Sequence, residues 1–585
     1  MAFKQIKCEN TFCTGRLRKI TYFCRYTMNN YTKSILSFLP LVSVCLCAYS
    51  QTLPVGIMAI EDWYRKSQLL GEVDSNISFT IRPLTAQALK RSNFYNPMDT
   101  GVSSEDVFFQ WMPATVGIQY NSTFPTGRND GPIVPTVGPQ TYLSAGITAS
   151  YKFLSIQLKP EFVWAANNDF QGFNSESRFH WQEWYRLRGN TIDLPERFGR
   201  GQYAKILPGQ SSIRLNFHPL SVGLSTENLW WGPGIHNSLI MSNNAPGFAH
   251  LTLNTTRPIR TYIGDFEGQI IGGRLEASGY LPSYNTTKQA FHDVFYRPKL
   301  DDWRYLSAAI LTYQPKWTPG LSLGATRAFT MYRSGMRSGL SDWLAIFNSG
   351  SAAKDEYVDI DRENRRARDQ LVSVFARWVI PQAHAEAYVE YGRNDHSWDS
   401  RDFFVQLEHS RAYIIGFRKL VELPQPDEWI NVGIEVTQME DGKPGIPRPA
   451  GSWYRHSGVR HGYTHMGQLL GSGINLGGNL QLLQVSWFRG LKQLGFQFER
   501  EVNNNDLFYE MRTGDMRRNW VNLSGIAFAE WDYKNFVFGG RMQLTRALNY
   551  QYELEENQYD PNNFWGFRPQ DRHNFLMNVS AMYRF

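Results

Sequence analysis

The alternation of apolar and polar residues with a period of two most constrains the fold of this chain. From 143 to 152 the odd positions are apolar or aromatic and the even positions are small or polar. From 154 the apolar residues move to the even positions, including Leu154, Ile156 and Leu158. This pattern is typical of strands with one apolar and one polar face, and the change of parity predicts a tight hairpin turn between the two strands.

Further segments of this kind recur along the chain, separated by connections of two sorts. Alternating segments are predicted at 213–217, 321–329, 372–378, 383–390, 431–437, 493–499 and 536–542. Some connections take only a few residues, whereas others are long and polar, such as 348–370. Short turns combined with long loops are typical of outer-membrane β-barrels. At about 25–30 residues per strand with its connection, the chain after Trp111 predicts about 16–19 strands.

The last strand is the most specific local signal. One of its faces carries Phe575, Met577, Val579, Ala581, Tyr583 and the terminal Phe585. A β-rich chain that ends in Phe, with another aromatic residue two positions earlier, resembles the C-terminal signature of outer-membrane barrels. We therefore expect an all-β transmembrane barrel, located in the outer membrane.

The N-terminus predicts a secretory signal peptide. Met28 begins a segment in which Lys33 precedes the apolar stretch 35–47 and a small-x-small cleavage pattern. We expect cleavage near Ser50, with Met1 or Met28 as the true start. An N-terminal membrane anchor and a lipoprotein are the alternatives; the first would need a longer apolar stretch, and the second a smaller residue before its cysteine.

Removal of this leader changes the cysteine content and the charge. All five cysteines lie at or before position 47, so the mature chain would contain neither disulfides nor thiol ligands. The leader holds seven Lys/Arg and one Glu, which leaves 53 basic and 52 acidic residues. The whole-chain charge of +7 therefore gives no reason to expect a nucleic-acid partner.

Three regions follow from these patterns. Residues 1–50 are predicted to be leader and signal peptide, and 51–110 an N-terminal periplasmic, partly helical region. Within it, apolar residues from 60 to 70 recur near helical spacing, and Gly71 is a plausible helix stop. Residues 111–585 are predicted to form the barrel.

Three long segments, 226–280, 389–420 and 451–479, resemble the Wzi capsule-assembly family, in a variant close to that of Bacteroidetes. The resemblance implies an outer-membrane barrel of about 18 antiparallel strands with a small N-terminal periplasmic helical segment. It also implies a lectin-like, monomeric protein without a cofactor. Its partners would be capsular or extracellular polysaccharide and outer-membrane lipid, with the polysaccharide export machinery as a further candidate.

Motifs for catalysis are weak. The segment 471–478 departs from GxGxxG because its last glycine falls one residue late, and no GxSxG, P-loop or HExxH pattern is found. His456, His461 and His465 could hold a metal, but their spacing in a glycine-rich loop favours ordinary hydrogen bonding. We therefore expect a protein that is not an enzyme and that has no metal site.

Carbohydrate recognition needs flat aromatic faces together with amides or guanidinium groups that bond hydroxyls. The candidate carbohydrate-binding residues are Trp230, Trp231, Asn237, Asn243, Asn244, Trp453, Tyr454, Arg455 and Tyr463. Packing of the lumen and interfacial aromatic girdles are the alternative explanations for the aromatic members. A diffusion porin or substrate channel is the alternative function.

A second set of residues is predicted to form a polar network in the lumen. Its members are Glu386, Glu390, Asp395, Arg401, Glu408 and Arg411. Glu386 and Glu390 share strand parity, so both should point to the polar face, which in a barrel is the lumen. A hydrolase dyad or a polar sugar track is the alternative to a structural ion-pair network.

Overall fold

Eighteen antiparallel strands form a closed barrel in the part of the chain that the structure describes. This computed structural model describes residues 52–85, 102–103, 107–283, 285, 288–337, 339–347, 367–394, 400–442, 452–553 and 570–585. The barrel strands are β1 (Val107–Asn121), β2 (Gly138–Tyr151), β3 (Leu154–Leu158), β4 (Ser212–Phe217), β5 (Leu220–Ser225), β6 (His250–Thr255), β7 (Gly264–Leu275), β8 (Arg304–Pro315), β9 (Leu321–Tyr332), β10 (Arg368–Ile380), β11 (Ala385–Asn394), β12 (Arg411–Glu422), β13 (Trp429–Gln438), β14 (Asn479–Arg489), β15 (Lys492–Val502), β16 (Val521–Tyr533), β17 (Phe536–Leu548) and β18 (Arg572–Tyr583). The predicted all-β barrel of about 18 strands is confirmed.

Closure of the barrel depends on the last strand. β18 pairs with β1, from Leu576 opposite Asn121 to Tyr583 opposite Ala114. All other neighbours in the ring follow one another in sequence. The connection between β3 and β4 contains two further short strands, which do not separate β3 from β4 in the ring. A closed ring leaves no strand edge unpaired, which a barrel in a bilayer requires.

β2 pairs with two strands in succession. Its first half pairs with the strand Glu161–Ala165, and its second half pairs with β3. The strand Tyr203–Leu207 pairs in turn with Glu161–Ala165. These two short strands therefore extend the sheet beside the ring.

The outer surface of the barrel is apolar and its inner surface is polar. On β15, Phe496 is 57% exposed whereas Gln497 is 7% exposed. On β1, Trp111 faces outward, and a register shift between Met112 and Thr115 changes the parity, so that Val116 also faces outward. An apolar exterior around a polar interior suits a lipid bilayer.

The two ends of the barrel differ. At one end neighbouring strands are joined by short turns, such as Phe217 to Leu220 and Arg489 to Lys492. Long connections join the strands at the opposite end, as between β13 and β14. We call these the short-turn end and the long-loop end. The predicted combination of tight turns and long loops is present.

An N-terminal segment packs inside the barrel near the short-turn end. Helix α1 (Met58–Leu69) buries Ile60 and Trp63 in a cluster with Leu491, Val537 and Met582, which lie close to the ends of β14, β17 and β18. The predicted N-terminal helix is confirmed. The boundary at 110/111 between the N-terminal region and the barrel stays a prediction, as does the periplasmic location of the helix.

No helix in the described ranges is both long enough and apolar enough to cross a membrane. The predicted signal peptide, its cleavage near Ser50 and the start at Met1 or Met28 fall on residues outside those ranges.

Candidate functional site

The tryptophan-rich segment 226–248 lies inside the barrel. Trp230–Trp231 pair antiparallel with Ile81–Arg82 of the N-terminal segment. Both indole rings have 0% exposure. The guanidinium of Arg82 lies 4.3 Å from the centre of the Trp230 ring, a favourable cation–π distance. The N-terminal segment and the loop after β5 therefore form one packed unit.

The Gly-Pro-Gly sequence lets this loop approach its neighbours closely. Gly232 has a φ of +119°, and a Cβ there would lie 2.9 Å from Glu390 Oε2. A Cβ on Gly234 would overlap the carbonyl oxygen of Asn237, at 1.9 Å. The carbonyl oxygen of Pro233 accepts a 2.6 Å hydrogen bond from Arg65 Nη2 of helix α1. These glycines are needed for packing, since only glycine fits this close contact.

Two carboxylates on the barrel wall hold the same loop by its backbone. Glu435 of β13 accepts hydrogen bonds from the N–H groups of Ile235 at 2.9 Å and His236 at 3.1 Å. Glu390 of β11 accepts a 3.3 Å bond from the N–H of Leu239. The loop is therefore bonded to the wall on one side and to helix α1 on the other.

A second loop, 452–476, packs against the first. The hydroxyl of Tyr454 donates to the carbonyl of Leu239 at 2.7 Å and accepts from the N–H of Ser472 at 2.9 Å. The ring of Tyr454 stacks on that of Tyr463 with their centroids 6.0 Å apart. The two loops share one apolar cluster with inward residues of β7 to β12.

The predicted carbohydrate residues fall into two groups. The aromatic members, Trp230, Trp231, Trp453, Tyr454 and Tyr463, are each at most 1% exposed. Asn237 is bonded to Glu435 and Ser472, whereas Asn243 and Asn244 line an open cavity. Arg455 is half-buried, and burial, opposed by nearby Asp506, lowers its pKa to about 10. Sugar contact by any of these residues stays a prediction, and the packing of the five rings is their observed role.

A buried ion network links helix α1 to the wall. Glu386 of β11 accepts from Arg65 at 2.9 and 3.0 Å and from Arg377 at 2.7 Å. Arg418 of β12 lies 3.8 Å from the same carboxylate. All four side chains are at most 4% exposed. Buried charges of this kind are tolerated only when they are paired, so the network fixes the helix in one position.

A second carboxylate balances these guanidinium groups. Asp62 of helix α1 pairs with Arg418 at 2.7 Å and with Lys66 at 3.1 Å. Burial opposes the ionisation of Asp62, but the two cations outweigh it and hold the pKa of its carboxyl below its usual range. Asp62 is therefore charged at neutral pH.

The structure separates the other members of the predicted polar network. Arg401 and Glu408 are exposed on the loop between β11 and β12, and Arg411 is half-buried and donates to the carbonyl of Glu440 at 3.4 Å. Asp395 lies outside the described residues. Of the five members that the structure describes, only Glu386 and Glu390 are buried within the lumen. Arg65, Arg377, Arg418 and Asp62 were missed, because strand parity gives the direction of a side chain but not its partner across the barrel.

A third anchor joins the N-terminal segment to β4. Glu227 accepts from Arg214 at 2.6 Å and from the Ser225 hydroxyl at 2.9 Å. The Thr52 hydroxyl also donates to Glu227, in a short hydrogen bond. Burial raises the pKa of Glu227, but Arg214 and these hydroxyls lower it by a larger amount. The pKa of Glu227 therefore lies below its ordinary value.

A cavity of about 610 Å³ remains beside these packed loops. It follows β14 to β18 and β1, and its lining extends from Met582 at the short-turn end to Tyr550 at the long-loop end. Asn243, Asn244 and His236 line it from the inward-folded loop. A volume of this size lies in the usual range for ligand pockets. This space is the candidate binding site.

The three histidines of the second loop have separate partners. His461 Nδ1 lies 2.8 Å from the Tyr332 hydroxyl, His465 Nδ1 accepts from the Glu276 N–H at 3.1 Å, and His456 Nδ1 accepts from the Val459 N–H at 2.9 Å. Among the described residues, no group of three or more His, Cys, Asp or Glu side chains is placed to hold a metal.

Comparison with models of known protein families identifies a capsule-assembly family. The family model for the capsule assembly protein Wzi matches residues 128–557. Comparison with curated protein sequences gives no significant match.

Comparison with solved structures gives several matches. Wzi of Escherichia coli, described as an outer membrane protein involved in group 1 capsule assembly and a carbohydrate-binding β-barrel, superposes with a TM-score of 0.57 at 11% identity, covering 92% of this chain and 100% of that one. OccAB2 of Acinetobacter baumannii has a TM-score of 0.38 at 10% identity, over 81% of this chain and 98% of that one. OccK11 of Pseudomonas aeruginosa has a TM-score of 0.37 at 8% identity, over 84% of this chain and 98% of that one.

Proposed function

The chain belongs to the Wzi family of capsule assembly proteins, and we propose that it is an outer-membrane barrel that binds exported capsular or extracellular polysaccharide and helps to attach it at the cell surface. The family match supports the role in capsule assembly. The apolar exterior of the strands supports the membrane location, because such a surface is stable in lipid. The E. coli protein of similar fold is described as binding carbohydrate.

One structural observation carries the binding role. Much of the lumen is filled by loops and helix α1, and a cavity of about 610 Å³, lined by polar and apolar side chains, is left beside them. A general porin needs a wide aqueous passage, whereas this interior resembles a lined binding site. We further propose that the protein is a monomer surrounded by outer-membrane lipid, and that the bound polymer comes from the export machinery.

A binding role without catalysis also fits the buried carboxylates. Glu386 is held by Arg65 and Arg377, and Glu390 accepts a hydrogen bond from the backbone of Leu239. A glycosidase needs one carboxyl group that gives up a proton and a second one that acts as base or nucleophile. The carboxylate oxygens of Glu386 accept hydrogen bonds from Arg65 and Arg377, so this group is poorly placed to donate a proton to a substrate.

The lining of the cavity also supports a second candidate function, a narrow substrate channel. Residues from both ends of the barrel, such as Met582 and Tyr550, contribute to the same cavity. A channel would carry ions across a planar bilayer, whereas a barrel closed by its loops would be almost silent.

The two functions can be separated on one purified sample. We expect the barrel in detergent micelles to retain cell-surface polysaccharide in a pull-down, and to give little single-channel conductance after reconstitution. In cells, deletion of the gene should move polysaccharide from the cell surface into the medium. Normal cell-associated polysaccharide in the deletion strain would contradict the attachment role, and high conductance without retention would favour the channel.

A further inference from the structure

Amide side chains are concentrated on the part of the wall that borders the cavity. Five of them face it from within barrel strands, namely Gln119 of β1, Gln484 of β14, Gln497 of β15, Gln543 of β17 and Asn578 of β18. We call these five residues the amide belt. β16, which lies between β15 and β17, contributes Ile526 at this level. The belt therefore runs across six neighbouring strands, from β14 to β18 and β1, and is interrupted by one apolar residue on β16.

Strand register places four members of the belt opposite one another in two pairs. Gln484 lies opposite Gln497 across β14 and β15, and Asn578 lies opposite Gln119 across β18 and β1. The side-chain amide of Asn578 donates a 3.0 Å hydrogen bond from Nδ2 to Oε1 of the Gln119 side chain. Arg541, next to the belt on β17, lies opposite Asn578. Cross-strand neighbours of this kind are close enough to contact one ligand together.

Within the belt, Gln484 keeps the most free hydrogen-bonding capacity. Gln484 is 6% exposed and lines the cavity, and its amide has no hydrogen bond to another side chain or backbone group in the described ranges. Across the barrel, by contrast, Gln269 of β7 accepts a hydrogen bond from Trp231. Each amide offers two N–H donors and one carbonyl acceptor. Gln484 can therefore bond a ligand that fills the cavity. Gln497 and Asn578 each donate one hydrogen bond, to Glu499 and to Gln119. The amide of Gln543 is already bonded to Arg541, Ser524 and Thr545.

We propose that the amide belt is an interior binding surface for an uncharged, hydroxyl-rich segment of polysaccharide. The inference rests on the proposed function and adds the location and the charge class of the bound sugar. Amides both donate and accept, which matches the vicinal hydroxyls of a sugar ring. Cationic and acidic side chains line the cavity in equal numbers, so the cavity as a whole has no excess positive charge to select an anionic polymer.

An aromatic residue stands at the long-loop end of the same cavity. Trp520 is half-buried, lines the cavity just before β16 and donates from Nε1 to Asn522 at 2.9 Å. Tyr550 packs against its ring edge-on at 5.1 Å. A fixed ring with one accessible part suits stacking on the apolar face of a pyranose. Trp520 thus places an aromatic ring at the long-loop end of the cavity that the belt lines.

Binding to the purified full-length barrel tests the proposal. The probes are polysaccharide released from the producing cells, neutral dextran and acidic polygalacturonate. Gln484→Met and Asn578→Leu keep most of the side-chain volume and remove the amide. We expect each to weaken binding of the cell polysaccharide roughly five- to tenfold, the effect of one lost hydrogen bond. The wild type should bind dextran more tightly than polygalacturonate.

Gln481→Met is the matched control. Gln481 is on the same strand as Gln484 but on the opposite face, where it accepts a 2.8 Å bond from Arg500. The same chemical change there should leave binding unaltered. Heat-dependent gel mobility shows whether each variant has folded as a barrel.

A labelling experiment covers the case in which an amide variant fails to fold. All natural cysteines lie in the predicted leader, so Gln484→Cys and Gln481→Cys each introduce a single thiol into the mature chain. Bound polysaccharide should slow maleimide modification at 484 and leave the rate at 481 unchanged.

The outcomes are distinct. Polysaccharide binding that is equal in the wild type, Gln484→Met and Asn578→Leu, without protection at 484, overturns the belt and leaves the proposed function standing. A wild-type barrel that binds no cell polysaccharide overturns both. A preference for polygalacturonate over dextran overturns the assignment to an uncharged sugar.

Discussion

Arg65 of helix α1 and Glu386 of β11 form a two-point ion pair inside the barrel, with N···O distances of 2.9 and 3.0 Å. The pair joins residues 321 positions apart in the chain. Arg377 shares the same carboxylate at 2.7 Å, and the Pro233 carbonyl accepts from Arg65 at 2.6 Å. One carboxylate thus holds together the helix, the wall and the inward loop.

Glu386→Gln should destabilise the folded barrel by about 3–5 kcal/mol, because it leaves buried guanidinium groups without their charged partner. Chemical denaturation in detergent micelles measures the change. Arg274→Ala is the control, since Arg274 and its partner Glu276 are 53% and 43% exposed and such surface pairs contribute at most about 1 kcal/mol. Equal unfolding midpoints for Glu386→Gln and the wild type would contradict the role given to the network.

Trp231→Ala should lower the free energy of unfolding by about 3–5 kcal/mol, because it removes a fully buried ring and the hydrogen bond from its Nε1 to Gln269. Trp531→Ala, on the outward face of β16 and 42% exposed, should change the free energy of unfolding much less. The comparison is made by denaturation of both variants. Polysaccharide binding by the folded part of the Trp231→Ala sample then tests the predicted sugar contact. If Trp231 contacts the sugar, the variant should bind polysaccharide more weakly than the wild type, and an unchanged affinity would contradict the contact.

Gly234→Ala should prevent the inward loop from adopting its observed conformation, because the added Cβ would lie 1.9 Å from the backbone oxygen of Asn237. We expect a lower yield of heat-modifiable barrel on gels and a lower denaturation midpoint. Gly540→Ala provides the control, since a Cβ there meets no atom within 4 Å. A Gly234→Ala barrel as stable as Gly540→Ala would show that this loop packs less tightly than the structure indicates.

Glu227 should make the barrel sensitive to acid. Its folded-state pKa is lower than the ordinary 4.5, because Arg214 and the surrounding hydroxyl donors outweigh burial. The stability that its ionised form contributes is therefore complete above pH 4.5 and is lost as pH falls through the folded pKa. We expect the difference in unfolding free energy between the wild type and Glu227→Gln to be largest near neutral pH and to shrink on acidification. A difference that grows as pH falls would have the wrong sign.

The sequence predicted the barrel because strand alternation is a local property. Residues 143–158 show the hairpin of β2 and β3 by parity alone, and the same parity directs Glu386 and Glu390 inward. The helix near 60–70 was likewise visible from its spacing. Membership of the family could be inferred from long segments of unusual composition, and the family match over 128–557 confirms it. The Bacteroidetes-type assignment stays a prediction.

The sequence did not reveal what the loops do inside the barrel. Trp230 and Trp231 have the composition of a sugar-binding surface, yet their rings are buried against the N-terminal segment. The amide belt was also not foreseen, since Gln119 lies hundreds of residues before its other members and becomes their neighbour only when β18 closes onto β1.

The sequence by itself therefore determined the local features, namely strand faces, turn positions, the helix and the family. The tertiary structure alone decided which polar groups satisfy one another and which remain open to a ligand. The physical reason is that a period of two specifies the direction of each side chain, whereas its partners depend on barrel closure and on loops that fold back into the lumen.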